Sequence, residues 1–295
     1  MSNNKPTILV TGANGQLGTE LKQVAYLFPH YHFVFTTKKE LPIDDFVQVK
    51  NFFSSHLINY CINCAAYTAV DKAETESNLA FLINGNAVGN LALICNEHNT
   101  RLIHISTDYI FDGTATRPIK ENHPVNPLGV YGASKLKGEE LCLQQNPSAI
   151  IIRTSWVYSS YGHNFVKTML RLMSEKNEIN VVNDQTGLPT YAADLAMAIM
   201  QIIEKGSAIQ LPSSVFNFSN SGNPITWYDF AVAIKEQIKC ECKINPIPTS
   251  LYPTPAKRPA YSVLDATLIK ETFDITIPDW KQSLERCILA INSSK

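Results

Sequence analysis

The sequence is poor in the features that would assign it to a class at once. Its formal net charge is only -1, with 25 Lys and Arg against 26 Asp and Glu, so no bulk excess of either sign marks it for nucleic acid or an anionic membrane surface. The opening "MSNNKPTILV" carries one lysine and a short apolar run that stops at "TGANG". That is less apolar length than a signal peptide or a membrane span needs, and a cytoplasmic protein is expected. Cysteine is present seven times, an odd count without a regular framework, which argues against disulfides. The pair in "CINC" (Cys61, Cys64) has the spacing of half a zinc site. No second Cys/His pair stands at a ligand distance, so both read as small hydrophobes of a buried strand, and no metal site is predicted. Internal repeats, low-complexity tracts and long linkers are also missing.

What is there is a globular composition. The chain has 295 residues, 45% of them hydrophobic, enough for one large or two closely joined domains around a sizeable core. "TILVTG", "HFVFTT", "YCINCA", "RLIHIS" and "AIIIRTS" are nearly continuous in apolar and β-branched residues, the pattern of strands buried on both faces. Between them, residues 15–28, 44–56, 77–98 and 129–145 have helical spacing, with Asp44, Ser77 and Asn78 as candidate starts. This alternation predicts a doubly wound α/β fold with a parallel sheet. Beyond residue 156 helices are expected at 163–176, 191–205, 226–239 and 280–292, and strands thin out to 179–183, 215–218 and 243–247. The proline-dense "NPIPTSLYPTPAKRP" reads as an irregular surface loop. The expected organisation is a Rossmann-type domain from 1–156 and about 190–218, and a smaller C-terminal α/β lobe from about 157–189 and 219–295.

"TILVTGANGQLGTEL" supplies the first chemistry. A buried strand ends at Thr11, Gly12, Gly15 and Gly18 follow as G-x-x-G-x-x-G, and an amphipathic helix opens. Glycines let the backbone turn tightly and approach a pyrophosphate, and the free N–H groups of a helix start favour its charge. Gly12, Asn14, Gly15, Gln16, Leu17 and Gly18 are therefore candidate dinucleotide-binding residues. An NAD site usually places an acid after the second strand, but here "TTKKEL" puts Lys38 and Lys39 there. Two cations suit a 2′-phosphate, so NADPH is expected in preference to NADH, with NADH left open as an accepted cofactor.

In "YGASK", Tyr131 and Lys135 stand four apart on one helical face, where an ammonium could lower the pKa of a phenol. The pair gains meaning from "RLIHISTDYIFDG", which puts Ser106, Thr107 and Asp108 at the C-terminal end of a strand, where open parallel sheets bind ligands. Glycine loop, strand-end hydroxyl and Tyr/Lys pair in this order resemble the extended branch of the short-chain dehydrogenase/reductase superfamily. "GANGQLGTEL", "NCAAYTAVDKAE", "STDYIFDG", "NPLGVYGASKLKGE", "RTSWVYSSYGHNFV", "VVNDQTGLPTYAADLA" and "AKRPAYSVLD" narrow the likeness to the dTDP-4-dehydrorhamnose reductase family.

The resemblance implies reduction of the 4-keto group of dTDP-4-dehydro-L-rhamnose to dTDP-L-rhamnose with NADPH. It implies Tyr131 as general acid, Lys135 as its electrostatic partner and a ligand of the nicotinamide ribose, and Thr107 as a hydroxyl donor to the reacting oxygen. Asp44, Ala65, Ala66 and Tyr67 would join the cofactor site. Thr68, Val70, Asp71 and Asp108 would border the sugar, Trp156 would wall it or serve as a core residue, and Arg258 would grip the diphosphate. Two departures stand out. The family's "ELDITD" reads "ELPIDD" here, with Pro42 for the first Asp, a change in the loop that the resemblance places beside the adenine. Some relatives hold a divalent ion such as Mg between subunits through glutamates, one aligning with Glu20, but the other ligands have no counterpart, so no metal is predicted; a homodimer stays open.

Other readings stay open. A 4,6-dehydratase would want Glu after Asp108, where this chain has Tyr109, and an epimerase would want a strand-end cysteine that is missing. A non-catalytic NADP-binding subunit, similar to the regulatory β-subunit of methionine adenosyltransferase, could keep the glycine loop and Tyr/Lys pair. The sugar-pocket segments favour the reductase over it.

Overall fold

A computed structural model of the chain describes residues 5–206, 211 and 214–293. Strands β1 (Thr7–Thr11), β2 (His32–Thr36), β3 (Tyr60–Asn63), β4 (Arg101–Thr107) and β5 (Ile150–Thr154) alternate with helices α1 (Gln16–Val24), α2 (Phe46–Ser55), α3 (Val70–Ala73), α4 (Ser77–Phe81), α5 (Ala87–Glu97) and α6 (Val130–Gln145). There follow β6 (Val157–Tyr158), α7 (Phe165–Glu175), β7 (Glu178–Val182), β8 (Thr186–Gly187), β9 (Thr190–Tyr191), α8 (Ala192–Gly206) and β10 (Val215–Phe218). The chain ends in β11 (Ile225–Thr226), α9 (Trp227–Ile238), β12 (Lys243–Ile247), α10 (Thr267–Phe273) and α11 (Trp280–Ser293).

Six strands form one parallel sheet in the order β10-β5-β4-β3-β1-β2. Strand alternation sends successive residues to opposite faces. Ile8, Val10, Ile103 and Ile152 pack with Leu21, Leu195 and Ile199 on one side, while Leu9, Cys61, Leu102 and Ile151 meet Val49, Phe53, Val88 and Leu91 on the other. Strand order reverses between β1 and β3, so the crevice above the C-terminal ends of these two strands is where such sheets take ligands. A second apolar cluster gathers Tyr158, Val166, Met169, Phe230, Ile234, Trp280 and Leu284 beside three two-stranded sheets.

Local details differ from the sequence expectations. The first helix ends at Val24 and finishes as a 3-10 turn over Ala25–Leu27. Asp45, not Asp44, caps α2, accepting from Gln48 N. Neither Ser77 nor Asn78 caps α4, and the stretch expected as one helix contains a π-helical turn, Leu82–Asn86. The proline-dense loop is less irregular than expected. Residues 245–247 complete β12, an edge position where Pro246 costs no ladder bond to a second neighbour, and Thr249–Leu251 make a 3-10 turn. The run Ser77–Glu97 has the length and apolarity of a membrane span, but Val88, Leu91, Ala92, Ile94 and Cys95 are buried in the core between sheet and helices. This stretch packs as part of the core.

Candidate active site

The three loop glycines have different reasons to lack a side chain. Gly12 sits at φ +64°, and a Cβ there would meet Ala65 N at 2.6 Å, where β1 and β3 end side by side. At Gly18 it would meet Ala13 Cα and Gly12 O at 2.6 Å, so α1 packs hard against its own loop. Gly15 is exposed, and its Cβ would meet only Gly12 O at 3.3 Å. Gly15 is also the N-cap of α1 and no side chain caps that helix, which leaves the first N–H groups to an external anion. The cradle therefore fits a pyrophosphate.

Around it, Ala13 N donates to Thr36 O at 3.0 Å, bringing the end of β2 against the loop. Lys38 and Lys39 follow on that end, both exposed, and no ion pair among the described residues engages them. Asn14 is exposed and Asp44 partly buried. The Leu17 side chain lies in the core, so only its backbone could reach a cofactor, and Gln16 Oε1 already accepts from Asn164 Nδ2 at 2.9 Å.

Beyond β3, Ala65, Ala66 and Tyr67 are partly buried. Asn84, in the π turn, clamps this segment from both sides. Its Oδ1 accepts from Tyr67 N at 2.8 Å and its Nδ2 donates to Tyr67 O at 2.9 Å. The Tyr67 hydroxyl donates to Glu76 at 2.7 Å, Thr68 is exposed, and Val70 opens α3.

Helix α6 brings up "YGASK". Its N-terminus has no cap of its own, and Glu74 supplies one by accepting from Val130 N at 2.9 Å. Gly132 is required by packing, since a Cβ would lie 2.1 Å from Tyr109 O. Tyr131 stands edge-on to the Tyr109 ring, 5.4 Å between centroids. Burial pushes the Tyr131 phenol well above the ordinary value, against the Thr107 hydroxyl, which favours the phenolate. Lys135 has no part in that balance. Its Nζ turns the other way, donates to Ile105 O at 2.6 Å and lies 3.3 Å from His104 Nε2. The expectation that Lys135 lowers the Tyr131 pKa is not met in this structure, because helical spacing sets the face of a side chain and not the direction of its end.

Thr107 Oγ1 donates to Asp108 Oδ1 at 3.0 Å and accepts from Tyr109 N. Asp108 is buried, Oδ2 has no hydrogen-bond partner, and burial raises its pKa to about 6. Arg258 reaches this group from the proline-rich loop, donating to Tyr109 Oη at 2.9 Å and to Asp71 Oδ2 at 2.8 Å. The loop can come so close because Gly113, at φ +74°, leaves room for Pro259 and Ala260. Trp156 sits in the left-handed region at φ 48° and stacks on Trp227 of the second cluster, 3.6 Å between centroids.

Thr107, Asp108, Tyr131 and Arg258 thus meet at one end of the sheet, and the glycine loop lies above the same sheet end. Asn84, Glu74, Tyr109 and Trp227 belong to the surroundings without having been singled out in the sequence, and Asp71, expected at the sugar's edge, is paired with Arg258. Among the described residues no cluster of three His, Cys, Asp or Glu is placed to hold a metal ion. All seven cysteines are free thiols.

Known proteins share both chain and fold. Residues 6–293 match the family described as RmlD substrate binding domain. A dTDP-4-dehydrorhamnose reductase of Aggregatibacter actinomycetemcomitans is 41% identical over 94% of this chain and 97% of its own. The structure of the Clostridium acetobutylicum dTDP-4-dehydrorhamnose reductase superposes with a TM-score of 0.91 at 41% identity, covering 97% of this chain and 99% of that one. The Bacillus anthracis enzyme, solved in complex with NADP, gives the same TM-score at 36% identity over 97% of this chain and 99% of that one. With glycine cradle, strand-end threonine and Tyr/Lys helix found in place, and with likeness of this degree from end to end, the chain belongs to the dTDP-4-dehydrorhamnose reductase family, the proteins with an RmlD substrate binding domain.

Proposed function

We propose that the chain reduces the 4-keto group of dTDP-4-dehydro-L-rhamnose to give dTDP-L-rhamnose, using NADPH, in the cytoplasm. The observation that carries this reading is the meeting of Tyr131 and Thr107 at the sheet end that also bears the open Gly15 cradle. The first cluster and its sheet would carry the cofactor, and the second cluster, with Trp156, Trp227 and Arg258, would close over the sugar nucleotide.

When bound, the nicotinamide supplies the hydride. The chain's own residues do the rest. Negative charge grows on the keto oxygen, and Tyr131, held protonated by burial, is placed to deliver a proton there, while Thr107, on turning its single hydroxyl proton away from Asp108, would donate a second hydrogen bond. Gly12, Gly15 and the start of α1 would hold the pyrophosphate, with Lys38 and Lys39 beside the 2′-phosphate. Lys135 would serve the ribose after leaving its place against β4. Thr68, Val70, Asp71 and Asp108 would border the sugar.

The test is NADPH consumption with dTDP-4-dehydro-L-rhamnose, followed by identification of the sugar formed. Turnover to dTDP-L-rhamnose that falls by about 100-fold or more in Tyr131→Phe, the scale of a lost general acid, is the expected result. Tight NADPH binding without turnover of this sugar would reject the substrate and keep the cofactor.

A further inference from the structure

Three polar side chains stand on neighbouring strands in register: Thr11 of β1 beside Asn63 of β3, and Asn63 beside His104 of β4. All three are buried. Thr11 Oγ1 donates to Asn63 Oδ1 at 2.7 Å, and Ala65 N donates to the same oxygen at 3.2 Å. Ala65 N can only donate, which identifies that atom as the amide oxygen, so Asn63 Nδ2 is the atom facing His104 Nδ1 at 3.0 Å. Nδ1 must then accept, and a neutral imidazole carries its single proton on Nε2. Burial keeps His104 neutral, well below its ordinary pKa.

Nε2 lies 3.3 Å from Lys135 Nζ, which itself donates to Ile105 O at 2.6 Å. An ammonium has donors only, and against Nε2–H it would set donor to donor. A neutral amine offers its lone pair. With the amine neutral, each donor finds an acceptor in one direction: Thr11 to Asn63, Asn63 to His104, His104 to Lys135, Lys135 to Ile105 O.

We propose that His104 is a positioning residue that favours Lys135 as a neutral amine against β4 in alkaline solution, so that engagement of Nζ by a bound nicotinamide dinucleotide takes up one proton there. The inference rests on the cofactor part of the function proposed above. The step forms one N–H bond from the Nζ lone pair and a solvent proton, and no other bond changes. Groups facing Nζ agree with it. On α6, Glu139 favours the ammonium but is committed to Arg153 of β5 at 2.7 Å, and Cys142, backed by Cys61 of β3 and Cys95 of α5, is held neutral by burial. Tyr131, one turn away, is also neutral. Burial brings Lys135 down to about 8.

Titration calorimetry of NADPH into the full chain, repeated in buffers of different ionisation enthalpy, counts the protons taken up. Uptake approaching one proton at about pH 9 and falling toward zero near pH 6.5 is expected, as a pKa raised on binding requires. Lys135→Met abolishes it. His104→Phe removes the donor, raises the Lys135 pKa in the free protein and moves the curve about one unit or more to higher pH. His104→Gln, whose amide N–H stands near the place of Nε2–H, keeps the wild-type curve and serves where the Phe variant does not fold. NADPH binding without pH-dependent uptake, or a curve unmoved by His104→Phe, would overturn the inference alone. A Gln variant displaced as far as the Phe variant would do the same. Failure of the wild type to bind NADPH would overturn the cofactor reading and this inference with it.

Discussion

Arg258 and Asp71, 187 positions apart in the chain, form a 2.8 Å ion pair that ties the proline-rich loop to α3. Asp71 Oδ1 also accepts from Ala256 N at 3.3 Å, so both carboxylate oxygens hold the loop. A diphosphate arriving at Arg258 must compete with Asp71 for the guanidinium. Arg258→Met is expected to weaken dTDP binding by about 10- to 100-fold, the worth of charged hydrogen bonds. Asp71→Asn should leave dTDP affinity equal or several-fold tighter, because it removes the competitor. Calorimetric titration of dTDP into the two variants checks both, and unchanged affinity in Arg258→Met would remove Arg258 from the phosphate site.

The glycine loop makes a paired prediction. Gly18→Ala places a methyl 2.6 Å from Ala13 Cα and Gly12 O, backbone atoms that cannot step aside, so a loss of about 1 to 3 kcal/mol of stability is expected. Gly15→Ala meets little inside the protein and should keep the wild-type melting temperature, yet weaken NADPH by about 10-fold or more by filling the anion's approach. Melting curves and NADPH titrations on the two variants separate the roles; a stable Gly18→Ala or a tight-binding Gly15→Ala contradicts the assignment.

Strand-helix alternation and the glycine loop were legible because both are local: periodicity and a turn need only neighbouring residues. Residues whose meaning depends on distant partners were not. Asn63 and His104 sit in strands that read as apolar, and only strand register places them side by side. Glu74 caps a helix 56 positions later. Asn84 gains its clamp on Tyr67 from a π turn, which a helical hydrophobic pattern does not reveal. The YGASK spacing put Tyr131 and Lys135 on one face, but the pull of Ile105 O and His104 on Nζ comes from β4 and is invisible in the motif.

Asp108 links the site to pH. Its pKa stands at about 6 against an ordinary value of 3.8, because burial disfavours the carboxylate more than its hydrogen bonds favour it. The folded chain therefore binds this proton more tightly than the unfolded one. The resulting stability is full below about pH 4 and is lost as pH rises through about 6. Asp108→Asn keeps the site neutral, so the variant should match the wild type near pH 4 and exceed it by up to about 3 kcal/mol at pH 7.5. Denaturation at the two pH values tests the sign; a variant less stable at pH 7.5 than at pH 4, relative to wild type, reverses it.

Lys38 and Lys39 make the last prediction, because they stand where an acid would select NADH. They follow β2, whose end Thr36 O is bonded to Ala13 N of the glycine loop, and no ion pair among the described residues holds them away. Both are exposed, so replacing them should leave folding unchanged. A 2′-phosphate carries charge that NADH lacks, so the two lysines can act on one cofactor and not the other. The Lys38→Ser/Lys39→Ser double variant is expected to raise KM for NADPH by about 10-fold or more while KM for NADH and kcat with either cofactor stay near wild type. Measuring kcat/KM with both cofactors decides it. An equal loss with NADPH and NADH would mean that the lysines act through the loop rather than on the phosphate, and no loss with either would leave cofactor choice to groups elsewhere in the cradle.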